Sequence, residues 1–403
     1  MMMQQDRRDD PAGGSGPLAG KVVVDLSRAL AGPHATMMLA DMGARVIKVE
    51  PPGTGDDSRG WGPPFVGPED EPESTYFFSC NRNKESIQLD LKSLDGLATL
   101  EKLVRRADVV VENFRSGVLD RLGIPIKRMH ELNPALVVLS ITGFGHDGPE
   151  AGRAGYDQIA QGEAGLMSLT GPGPDQPTRV GVPIGDLLAG MYGAFGVVSA
   201  LVERDRTGKG TTVRTSLLAA LVGVHAFQGT RYTVAGEVPK PLGNHHPSIA
   251  PYGAFQAADG IIQVAIGNQA QWQAFCSVLG IDPEEPDFAT NGARVAHRER
   301  LIETIEKYLS TEDRRVWLER LRQAGVPSGA VRSLDEVYEW EQTRSQGLLV
   351  DVDHSTVGPL RLPGPAVRMD DARGISVLRD QHAAPPTLGQ HDAAIRAWLD
   401  GTI

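Results

Sequence analysis

Residues 21–50 read KVVVDLSRALAGPHATMMLADMGARVIKVE, and the fold follows from how this stretch divides. Lys21 to Ser27 carries three consecutive valines and a leucine, the composition of a strand buried on both faces. Ala35 to Met42 is an apolar helical run ended by Gly43, and Arg45 to Glu50 is a second β-branched strand. A strand, a helix and a strand in so short a span form a βαβ unit, which requires the two strands to lie parallel.

Outward from this unit the alternation continues. Leu97, Leu100, Leu103 and Val104 share one face of a helix predicted from Leu94 to Arg106, and Asp108 to Glu112 and Leu136 to Ile141 read as further strands. The expected fold class is therefore α/β, a doubly wound (Rossmann-like) parallel-sheet large domain. No G-x-G-x-x-G follows the first strand, where the residues are RALAGPHA, and no Walker sequence is present. Dinucleotide binding and ATP-driven chemistry are both disfavoured.

A chain of 403 residues suggests two domains. The expected division is a disordered, polar arm over 1–17, a large α/β domain over 18–225, a linker and small α+β domain over 226–332, and a segment over 333–403 that returns to the large domain. The domain junction is expected near 225–240, before the Pro/Gly/His-rich run VPKPLGNHHPSIAPYG (238–253), and Ala254–Gln256 and Ile261–Ile266 flank a turn that predicts a hairpin. Gln271 to Ala324 reads as mostly helical.

The formal net charge of −11 argues against nucleic acid or a membrane surface as a general partner. Cys80 and Cys276, the only cysteines, give no disulfide framework and no metal pair, which suits a cytoplasmic home. The apolar stretch Leu187–Val202 falls short of the roughly 20 residues that span a bilayer and reads as a buried helix. No metal is expected: His245 and His246 are adjacent and lack a ligand partner set.

Three features could carry chemistry, one of them the Gly/Pro-punctuated run from Gly143 to Tyr156. Asp186, in VPIGD before an apolar helix, sits where an N-cap belongs; the same helix start would favour an ionised carboxylate able to attack a thioester. The loop Gly243-Asn244-His-His-Pro247 is either an interdomain turn or a source of backbone N–H groups for an oxyanion.

Several segments together resemble the class III CoA-transferases, the group that includes formyl-CoA transferase: residues 20–59, NRNKESIQLDLK (81–92), VENFRSGVLDRLG (111–123), LSITGFG (139–145), VGVPIGDLLAGMYGAFGVVSAL (180–201) and the run from Asn244 to Trp272. The resemblance implies an enzyme that moves coenzyme A from an acyl-CoA donor to a carboxylic acid, through an aspartyl mixed anhydride and an aspartyl-CoA thioester on Asp186. It implies Gly243 and Asn244 as possible oxyanion or loop contacts, and a CoA site that includes Lys84, Asn113, Phe114, Arg121, Thr142 and Tyr156. It further implies no permanently bound cofactor and an interlocked homodimer. Leu30 stands where the formyl-CoA enzyme has a glutamine, which argues against a small oxalate-like acyl group.

Two alternatives use the same resemblance. A 2-methylacyl-CoA racemase needs a histidine and a glutamate where this chain has Tyr156 and Gln269, neither of which replaces an acid–base group near neutral pH. A catalytically silent acyl-CoA-binding paralogue would dispense with Asp186. Asp157, a rival carboxylate, reads as a helix-start cap.

Overall fold

The computed structural model describes residues 15–402, so most of the expected arm lies outside the described residues. By contacts the described chain separates into two units. The first comprises residues up to Leu166, Val180–Thr230 and from Glu341 onward; the second comprises Met167–Arg179 and Arg231–Trp340.

The first unit is built on a six-stranded sheet: β1 (Val22–Asp25), β2 (Arg45–Glu50), β3 (Lys84–Gln88), β4 (Val109–Glu112), β5 (Val137–Thr142) and β6 (Thr211–Ser216). Every pairing is parallel and the order is β3-β2-β1-β4-β5-β6. This is the doubly wound order, whose direction reverses between β1 and β4. Successive side chains point to opposite faces, and the core divides accordingly. Val23, Val46, Val109, Val111 and Leu139 pack under the helices α1 (Ala31–Asp41) and α4 (Ile184–Thr207). Val24, Ile47, Val110 and Val138 pack against Leu100, Leu103 and Val104 of α2 (Leu94–Arg106), with Ile395 and Leu399 from a C-terminal helix, Asp392–Asp400.

Helix α1 begins four residues before the expected start and contains Pro33. Proline is tolerated there because a first-turn N–H has no intrahelical acceptor. A short helix α3 (Asp157–Glu163) precedes α4. By length and composition α4 could cross a membrane, contrary to the expectation from its shorter uncharged stretch. Its small residues instead form a buried face. A Cβ on Gly190 would stand 2.6 Å from the Ala31 carbonyl oxygen, and one on Gly193 would stand 2.8 Å from Leu139, so glycine lets α4 lie against α1 and the sheet.

The second unit has a three-stranded antiparallel sheet. The predicted hairpin is β7 (Tyr252–Ala257) and β8 (Gly260–Ala265), and β9 (Ser328–Ala330) pairs with β8. Helices α5 (Gln269–Leu279), α6 (Arg298–Leu309) and α7 (Arg314–Gln323) close a core around Trp272, Phe275, Ile305 and Leu321. Met167–Arg179, expected in the large domain, groups with this unit, where Gly171 accepts the Gly243 N–H at 3.0 Å.

Candidate active site

Asp186 is not an N-cap. Pro183 holds that position in α4 and Asp186 is the third helical residue, in the first turn. The cap function falls to Asp157, which closes the helix from outside: its Oδ1 accepts the Gly185 N–H at 2.7 Å and its Oδ2 accepts Gln161 Nε2 at 2.6 Å. Gln161 in turn accepts the Val180 N–H at 2.9 Å. Asp157, expected to cap its own helix, is thus the residue that fixes the backbone immediately before Asp186.

A helix start alone would keep Asp186 ionised at low pH. Burial opposes this, and the neighbouring Asp157 charge adds to the effect, so its pKa is pushed up to about 7. The apolar surroundings are local. Leu187 packs with Tyr76 around a small cluster of Leu30, Met37 and Cys80. The Tyr76 phenol is raised above its usual value, first by burial and then by the Asp186 charge, and its ring meets Trp61 edge-on at 4.8 Å. Burial pushes the Cys80 thiol up to about 11, which leaves it a packing residue rather than a rival nucleophile.

The loop between β1 and α1 explains the missing glycine fingerprint. Its backbone is held by side chains from three other segments: Asn113 bonds both the N–H and the carbonyl of Arg28 (2.9 and 2.8 Å), Asp56 accepts the Ala29 N–H (3.0 Å), and Lys48 donates to the Ser27 carbonyl (2.9 Å). Ala29 adopts φ +65° within it. A buried Lys48–Asp56 pair at 2.7 Å anchors the arrangement. The Arg28 and Ala29 amides that could cradle a pyrophosphate are already satisfied.

Beyond this loop, at the carboxyl ends of β1, β2 and β4, lies a cavity of about 440 Å³. Leu26, Val49, Phe114, Val118 and Leu122 give it apolar walls, and Arg28 and Lys92 give it cations. The Arg28 guanidinium lies 5.9 Å from the Phe114 ring centroid. Glu112, just before, accepts the Phe114 N–H at 2.9 Å and fixes the turn. Such crevices at a sheet's reversal point are the usual ligand position in doubly wound folds.

The residues expected around a CoA site fare differently. Phe114 lines the cavity, and Arg121 is exposed at the end of the helical turn Val118–Arg121 that forms one wall. Lys84 does not present its charge. It is buried and donates to Asp25 (3.1 Å), the Pro33 carbonyl (2.9 Å) and Asn81 (2.8 Å), which uses all three N–H groups. Asn113 commits its amide to Arg28. Both are positioning residues in this structure. Thr142 ends β5 and its hydroxyl accepts the Gly145 N–H at 3.1 Å, while Tyr156 is exposed at the N-cap of α3.

Gly243 and Asn244 belong to the second unit, with Gly243 at φ +57° and His245 against the Phe255 ring at 5.5 Å. Gln269, at the racemase glutamate position, donates to the Ala289 carbonyl at 3.0 Å at the start of α5. Sequence reasoning missed Tyr76, Arg28 and Lys92. The last two lie within quoted segments, and only the sheet order shows that they share one crevice. Among the described residues no group of His, Cys, Asp and Glu side chains could hold a metal ion.

The sequence model of CoA-transferase family III matches residues 18–392. The chain is 40% identical over 382 residues to the human succinyl-CoA:glutarate CoA-transferase, covering 94% of this chain and 85% of the relative. It is 40% identical over 388 residues to the succinate–glutarate CoA-transferase of Agrobacterium fabrum, covering 95% and 96%. Among solved structures, a CaiB/BaiF family protein from Brucella suis superimposes with a TM-score of 0.86 at 40% identity, covering 96% of this chain and all of that one.

Proposed function

The chain belongs to CoA-transferase family III, and from that premise we propose that it exchanges CoA between dicarboxylic acids through covalent catalysis on Asp186. It is an enzyme of the CoA-transferase class. The observation that carries the finer reading is the carboxylate itself: held in the first turn of α4 by Asp157, desolvated beside an apolar cluster, and titrating near neutral pH. A carboxylate made more basic by burial is a stronger nucleophile once ionised.

Asp186 attacks the donor thioester carbonyl and the C–S bond breaks, giving a mixed anhydride and CoA thiolate. The thiolate attacks the aspartyl carbonyl, releases the donor acid and leaves an aspartyl-CoA thioester. The acceptor carboxylate attacks that thioester, freeing the thiolate again and forming a second anhydride. Attack of the thiolate on the acceptor's carbonyl yields the new acyl-CoA and restores Asp186. No net proton is needed, since each carboxylate that enters is matched by one that leaves. The expected oxyanion role of the Gly243-Asn244 loop is not kept, because the Gly243 N–H is committed to the Gly171 carbonyl at 3.0 Å; Tyr156 and Thr142 are proposed neighbours of the acyl-CoA.

The cavity beside Phe114 is the proposed seat of the nucleotide end of CoA, because Arg28 and Lys92 line it while its two carboxylates are engaged, Glu50 by Arg59 at 2.7 Å and Asp90 by the Lys92 N–H at 2.9 Å. Arg121 at its wall extends that charge. Dicarboxylate specificity rests on the names of the human and Agrobacterium relatives, and Leu30 in the apolar cluster agrees with an acyl chain longer than oxalate. A homodimer is supported by the outer face of α4, where Met191, Phe195, Val198 and Val202 are exposed together.

The test is mass spectrometry of the Asp186 peptide after incubation with succinyl-CoA and hydroxylamine. A hydroxamate on Asp186, absent in Asp186→Asn, is expected. An unmodified peptide during active CoA exchange refutes the covalent reading.

A further inference from the structure

The second unit carries a cavity that the transfer reaction does not use. Helix α7, strand β9 and the segment from Val331 to Glu336 line an open depression of about 830 Å³, within the range of small-molecule sites. Five arginines and three carboxylates line it, in a chain whose overall charge is strongly negative.

Most of these charges are already committed. Arg322 pairs with Glu319 at 2.7 Å and Arg320 with Glu312 at 3.1 Å. Asp259 accepts the Arg314 backbone N–H at 2.6 Å, and the Arg314 side chain stands 3.4 Å from its other oxygen. The Glu336 carboxylate accepts the Ser333 N–H at 2.9 Å in a helix capping box. With the carboxylates engaged, two guanidinium groups are left over. Arg315 has no hydrogen-bond or ion-pair partner among the described residues. Arg332 lies 4.1 Å over the Trp340 ring, a contact that fixes its plane while leaving its N–H edges open.

We propose that this cavity binds a small phosphorylated molecule. A guanidinium has donors and no acceptor, and Arg315 and Arg332 both line this one depression, exposed and without a carboxylate partner among the described residues, so an anion entering it finds two groups able to donate to it. A single carboxylate satisfies one fork; a phosphate group has the charge and the oxygens to engage both. Val316, Leu318 and Val331 in the same lining suit an organic body attached to it. The site is independent of the CoA-transfer reading, because none of its residues has a part in that chemistry.

The experiment is calorimetric titration of inorganic pyrophosphate and of ADP into enzyme saturated with CoA, with citrate as a carboxylate comparison. Arg315→Glu/Arg332→Glu is the paired variant; both side chains are exposed, and an unchanged rate of CoA exchange verifies its fold. One additional site per chain for pyrophosphate or ADP, weakened about tenfold or more in the variant and by added salt, is the expected result. Absence of an added site, equal binding by the variant, or citrate binding as tightly as pyrophosphate overturns the proposal.

Discussion

Replacing Asp157 by asparagine isolates the part of the Asp186 pKa that comes from a neighbouring charge. Asparagine keeps an oxygen for the Gly185 N–H, so the start of α4 stays capped, while the negative charge is lost. Burial is the larger cause and Asp157 the smaller in lifting Asp186 from 3.8 to about 7. The charge therefore accounts for at most about half, roughly 1.5 pH units or ~2 kcal/mol. Asp186 acts as a base-form nucleophile, so activity falls as the pH drops through its pKa. At pH 6 a carboxylate with a pKa of about 7 is ~10% ionised, and one lowered to about 5.5–6 is ~50–75% ionised. The rate at pH 6, taken relative to each enzyme's own plateau near pH 8.5 or so, should then rise about five- to eightfold in Asp157→Asn at the upper limit. The plateau itself should fall, because the Gln161 amide now meets an amide instead of a carboxylate. The assay is the initial rate of CoA exchange across a pH series at saturating substrates. An acidic limb that stays where it is in the wild type refutes the electrostatic role given to Asp157.

Asp186→Asn should abolish exchange yet stabilise the fold. The folded chain holds the Asp186 proton more tightly than the unfolded chain, so wild-type stability falls as pH rises from about 4 to about 7, by at most ~4 kcal/mol; the melting-temperature advantage of the variant should be full at pH 8 and vanish below pH 4. Lys48→Met strands Asp56 and should cost about 3–5 kcal/mol in urea unfolding, and a loss under ~1 kcal/mol would contradict the anchoring role of the pair. Phe195→Asp should shift the protein to a lower mass in light scattering if the outer face of α4 meets a second copy, and an unchanged mass would remove that support for the dimer.

The central strands were legible because burial on both faces leaves runs such as VVVD and RVIKVE, whereas β3 and β6 were not assigned as strands. They are the edges of the sheet, where KESIQ and TTVRTS mix polar and apolar residues and no apolar run results. The helix Asp392–Asp400 was missed for a similar reason: it is short, and its docking, through Ile395 and Leu399 in the core and Trp398 between Arg45 and Arg106, is made only in three dimensions. Asp186 could be singled out from its place before an apolar helix. Its capping by Asp157, its raised pKa and the burial of Lys84 could not, since each depends on residues distant in sequence meeting in space. A lysine in a charged motif reads as a surface cation until its carboxylate partner, here Asp25, is located.

The loop after β1 takes its shape from Asn113, Asp56 and Lys48, which arrive from three separate stretches of chain. Its geometry is therefore settled when the sheet assembles, and a substrate docking against it loses little further freedom. The same wiring limits change. Installing a glycine-rich nucleotide cradle here would release amides whose partners would then be left charged or polar without a mate, so several coordinated substitutions would be needed before any intermediate sequence folded as well as this one. The sheet order that elsewhere holds nicotinamide and flavin cofactors is here wired, at this loop, against taking them up.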